Sequence, residues 1–91
     1  MNATELKINQ MANYFDNSVA HLSDDELFAS GYLRGHVDLA IGQLQLTEQL
    51  FSAAEIVTAV DASLAAAVAQ GELNSSDELL VRTIWQQVQA L

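Results

Sequence analysis

The sequence predicts an all-α protein, an antiparallel up-down-up-down four-helix bundle formed as a single domain from 91 residues. Three observations carry this. Along four separate segments, apolar residues recur at alternating steps of three and four, the spacing that lines up one face of an α-helix. Ser-x-x-Glu capping signatures precede three of the four segments. Proline is absent and glycine occupies only four positions, so little interrupts the helical patterns.

The first helix is expected over about residues 4–21, on the stripe Ile8, Met11, Ala12, Phe15, Val19 and Leu22. Ser23 stands three residues before Glu26 as a capping box, and the acidic turn Asp24-Asp25-Glu26 sits where a helix dipole favours negative charge. The second helix then runs to about residue 45 on Leu27, Leu33, Val37, Ala40, Ile41 and Leu44. The pattern loosens over 46–52. Ser52 and Glu55 form a second box and open a helix over 53–70 on Ile56, Val57, Val60, Leu64, Ala67 and Val68, with Gly71 suited to end it. Ser75 and Glu78 form a third box before a helix over 76–90, with Leu80, Val81, Ile84, Trp85, Val88 and Leu91 on a wide apolar face. The connections are short, which favours antiparallel neighbours.

Composition narrows the function classes. Twelve acidic residues face three basic ones (Lys7, Arg34 and Arg82) for a formal charge of −9, so the chain has almost nothing with which to neutralise phosphates or anionic lipid heads. Neither nucleic acid nor membrane is expected as a partner. DNA mimicry would need dense, periodic carboxylates, whereas here they are scattered apart from Asp24-Asp25-Glu26. Cysteine is absent, which removes disulfides, thiolate metal sites and thiol nucleophiles. No apolar run approaches a membrane span and the first residues do not read as a secretory signal, so a soluble, cytoplasmic protein is expected.

The unusual chemistry is concentrated in the second helix. Gly31, Gly35 and Gly42 fall near one face, each at a cost of ~1 kcal/mol relative to alanine. Their expected use is packing: without side chains they let a neighbouring helix, or a ring such as Tyr14, Phe15 or Trp85, come close to the backbone. Arg34 is the only cation between Lys7 and Arg82 and is expected to pair with Asp38 one turn onward. Tyr32 and His36 are spaced to meet, while Arg34 and His36 diverge around the helix. His21 and His36 with Asp24, Asp25 or Asp38 match no recognised metal spacing, and no nucleophile elbow, phosphate loop or dinucleotide fingerprint occurs. No cofactor and no metal are expected.

The run His21-Leu-Ser-Asp-Asp-Glu-Leu-Phe-Ala-Ser-Gly-Tyr-Leu-Arg-Gly-His36 resembles the small bacterial proteins of the YfcL family, and the resemblance continues more loosely through Leu39-Ala-Ile and Gly71-Glu-Leu to Trp85. It implies a cytoplasmic protein and brings no catalytic residue, substrate or cofactor with it.

The function expected is a non-enzymatic protein–protein interaction or adaptor module, with homodimerisation its simplest form. Its interaction face would hold Gly31, Tyr32, Arg34, Gly35, His36 and Gly42. Leu50, Phe51 and Trp85 would form an apolar patch, and Leu46 and Leu79 add to an apolar surplus beyond one small core. The alternative is a small-molecule or metal-binding protein with a pocket around Tyr32, Arg34 and His36 beside the Asp24-Asp25 turn.

Overall fold

In the computed structural model, which describes residues 2–91, each of four helices starts on a side chain that accepts a hydrogen bond from the backbone N–H three residues onward. Asn2 starts α1 (Ala3–Ser18), Ser23 starts α2 (Asp24–Leu46), Ser52 starts α3 (Ala53–Ala69) and Asn74 starts α4 (Ser75–Gln89). Each cap satisfies one of the donors that a helix N-terminus leaves without an intrahelical partner. The boxes Ser23/Glu26 and Ser52/Glu55 are both closed in both directions. The third expected box does not form. Asn74, one residue earlier and at least as good a cap as serine, accepts from Asp77 N at 2.8 Å, and Ser75 is taken into the first turn.

The Ser23/Glu26 box has a consequence that can be titrated. The Ser23 backbone N–H, and then its side chain, hold the Glu26 carboxyl below its ordinary value of 4.5. A carboxyl depressed in the folded state adds stability that is present above its unfolded value and lost as pH falls through the lower folded value. Ser23→Ala is expected to raise the Glu26 midpoint in a side-chain NMR titration. Ser23→Ala keeps the backbone N–H and so moves the midpoint only part of the way, while a wild-type midpoint at the ordinary value would show that the box is open in solution.

The helix ends follow local rules. α1 stops at Ser18 and tightens into a 3₁₀ turn, Val19–His21. Val19, expected on the apolar stripe, is the first residue of that turn and lies exposed. Gly71 has φ 77°, with Gly71 N bonded to Val68 O and Glu72 N to Ala67 O, the paired bonds of a Schellman stop. At the end of α2 the same left-handed position, φ 58°, falls to Glu48.

Chain direction alternates from helix to helix. Thr4 Oγ1 donates to Phe51 O at 3.0 Å, which puts the starts of α1 and α3 at one end of the bundle. The pairings Tyr32 with Glu72 and His36 with Ser63 run α2 against α3. Lys7 Nζ donates to the carbonyl oxygens of Gln89 and Leu91, covering the last turn of α4 where a cation is favoured. The most extensive packing joins α2 to α4 and to α3. Leu33 and Val37 of α2 meet Ile56, Val60 and Leu64 of α3 and Val81, Trp85 and Val88 of α4 in one buried cluster, which Met11 and Phe15 of α1 join. α2 is therefore the central element of the bundle.

Candidate functional site

At about 100° per residue, the buried residues Ala29, Leu33, Val37 and Ala40 mark the inner face of α2. On the opposite side lie Phe28, Gly31, Tyr32, Gly35, Leu39, Gly42 and Leu46, all within roughly 100° of arc. Phe28 is 52% exposed, Leu39 56% and Leu46 82%. The helix is thus apolar on two faces, one inside the core and one directed outward.

The glycines belong to the outward face. A Cβ added at Gly31, Gly35 or Gly42 would meet nothing within 4 Å. The close approach of a neighbouring helix or ring expected from the sequence does not occur. Those positions are small beneath open space, because the core turned the other face of α2 inward.

Aromatic residues continue the strip toward α3. The Phe28 and Tyr32 rings lie 6.0 Å apart and those of Tyr32 and His36 4.8 Å apart, as i, i+4 spacing permits. Tyr32 Oη donates to Glu72 Oε1 at 2.8 Å. Burial, then the hydrogen bond to Glu72 and its negative charge, push the phenol up to about 12. Tyr32 accordingly stays neutral at physiological pH and acts as a hydrogen-bond donor. His36 Nδ1 and Ser63 Oγ share a hydrogen bond between α2 and α3.

Arg34 turns to the other flank. Its Nη1 lies 2.7 Å from Asp16 Oδ1 on α1, and Nε lies 3.9 Å from Asp38 Oδ2. The expected partner Asp38 is therefore the longer contact, and an inter-helix pair takes the guanidinium. Phe15 supports it, with the guanidinium carbon 5.7 Å from the ring centroid. Arg34 and His36 thus leave α2 on opposite sides. One cleft is lined by Gln10, Tyr14, Asn17, Ser18, His21 and Leu91, and another by residues of the α1 start and the 45–51 segment. Neither is lined by Tyr32, Arg34 or His36. Among the described residues, no three His, Asp or Glu side chains are grouped to hold a metal ion.

The expected apolar patch of Leu50, Phe51 and Trp85 comes apart. Leu50 is 95% exposed, Phe51 packs partly against the core, and Trp85 is buried with Nε1 donating to Asp61 Oδ1 at 2.7 Å. Of the wide apolar face expected for α4, Leu80, Val81, Ile84, Trp85 and Val88 are spent on the core, while Leu91 lies past the helix end and is exposed. Phe28 and Leu39 lie outside the faces expected from the sequence. The signal was present in the steps of four, three, four, three and four that link Phe28, Tyr32, Gly35, Leu39, Gly42 and Leu46, but it was hidden by the stronger inner stripe.

Comparison with known proteins agrees with the resemblance seen in the sequence. The family model described as "YfcL protein" matches residues 7–90. A protein of Escherichia coli (strain K12), named "Uncharacterized protein YfcL", is 49% identical over 71 residues, covering 78% of this chain and 76% of that protein. No solved structure matches the chain. No helix among the described residues is long and apolar enough to cross a membrane.

Proposed function

We propose that this chain, which belongs to the YfcL protein family, is a non-enzymatic protein–protein interaction module whose contact surface is the outer face of α2. The observation that supports this reading is the second apolar face itself. Phe28, Leu39 and Leu46 are exposed around three glycines that no packing inside the fold requires. Exposed apolar side chains gathered along one helix face mark interaction sites more often than side chains scattered singly. The glycines weaken α2 by ~1 kcal/mol each, and a surface that another backbone must approach offsets that cost only when the partner is present. A cytoplasmic setting, carried over from the family resemblance, is part of the reading, and cell fractionation tests it.

The test combines sedimentation velocity at micromolar concentration with capture from a native extract, using the wild-type chain and Leu39→Asp as baits. Leu39 is exposed, so the variant is expected to keep its helical circular dichroism while losing whatever the wild type holds, a second copy or another protein. A wild-type chain that remains monomeric and retains nothing that Leu39→Asp loses would remove the proposal.

A further inference from the structure

We infer that the outer face of α2 receives a cationic amphipathic helix of another protein, docked lengthwise along a seam of alternating ridges and notches. This rests on reading that face as an interaction surface and adds the class of partner. Tyr32, Leu39 and Leu46 repeat every seven residues, and Phe28, Gly35 and Gly42 repeat every seven in between. That is the a/d spacing with which one helix receives the knobs of another. Gly35 lies in the notch between Tyr32 and Leu39, and Gly42 in the notch between Leu39 and Leu46. The open space over both glycines leaves room for large apolar side chains one heptad apart. From Phe28 to Leu46 the seam is about 27 Å long, the length of an 18-residue helix.

Charge selects the occupant. Asp24, Asp25 and Asp38 lie exposed beside the seam on α2, and Glu72 borders it through its bond to Tyr32. The one nearby cation, Arg34, is paired with Asp16 and Asp38. A second copy would bring the same acidic rims and its own net charge of −9 against this surface, and like charges facing each other across an interface repel. A helix with leucines along one face and Lys or Arg on both flanks matches the seam and its rims together.

Two synthetic 18-residue helices with one leucine seam, flanked by lysines in one and glutamates in the other, test this by fluorescence anisotropy and calorimetry. The lysine peptide is expected to bind at least about tenfold more tightly than its glutamate twin at low salt, and the gap should narrow as salt screens the rims. Asp25→Asn with Asp38→Asn should shrink the preference. Leu39→Asp is the deciding variant. It makes the protein more acidic, so diffuse attraction would strengthen binding, whereas a blocked seam should weaken it about tenfold or more. Gly35→Leu, which fills a notch without touching the core, should do the same, and Leu79→Asp on α4 should not. Equal binding of both peptides, or lysine-peptide binding that survives Leu39→Asp, overturns the inference. Self-association abolished by Leu39→Asp, without peptide binding, overturns the cationic partner and keeps the interaction reading. A monomer that binds neither peptide overturns the inference, and failed capture in addition removes that reading too.

Discussion

Trp85→Ala is expected to lower the stability of the fold by about 3–5 kcal/mol, the largest loss that any single truncation in this chain should cause. Trp85 is 3% exposed and belongs to the cluster that joins α2, α3 and α4. Removing the indole takes away both its buried area and the contacts of every side chain around it, and the helices cannot close a void of that size without moving. The Nε1 bond to Asp61 is a smaller part of the effect. Asp61 is exposed and can turn to water once its donor is gone. Trp85→Phe separates the two contributions, because it keeps a ring in the cluster and deletes only the donor. Urea unfolding followed by circular dichroism reads both variants, since the sole tryptophan is lost in each. A loss for Trp85→Ala below about 1 kcal/mol would mean that Trp85 lies near the surface, as Leu50 does.

The second large effect has the opposite sign. Gly31→Ala, Gly35→Ala and Gly42→Ala combined should stabilise the protein by about 2–3 kcal/mol, since alanine is favoured over glycine in a helix by 0.8–1.0 kcal/mol per position. The gain requires that each new methyl group meet no neighbour, and nothing lies within 4 Å of any of the three. For a domain of this size the melting temperature should rise on the order of 10–20 °C. Had the glycines lain under a crossing helix, the same substitutions would force the bundle apart and destabilise it. Scanning calorimetry therefore decides which face of α2 carries them. The stabilised protein should also bind a helix in the seam more weakly, because the methyl groups begin to fill the notches at Gly35 and Gly42.

Most of the fold was legible in the sequence because the forces that set helix boundaries act over a few residues. Ser23 reaches Glu26 and Ser52 reaches Glu55 whatever the rest of the chain does, and Gly71 supplies the left-handed stop beyond α3. The two boundary errors were equally local. Asn74 competed with Ser75 for the cap of α4, and α1 gave way to a 3₁₀ turn at Val19, short of its expected end at residue 21.

The site was less legible, because its character depends on which surfaces the bundle leaves over. α2 carries two apolar stripes on opposite faces, and its own sequence cannot rank them. The inner one was chosen because α3 and α4 present Ile56, Val60, Leu64, Val81 and Val88 to it. With that choice the glycines faced outward, Arg34 came within reach of Asp16, His36 met Ser63, and Trp85 was drawn into the core away from Leu50. By itself the sequence determined an acidic, four-helix protein and most of the places where its helices begin and end, since capping and 3.6-residue periodicity are short-range. Only the tertiary structure decided which face of α2 was left exposed, because burial is settled by contacts between residues far apart in the chain.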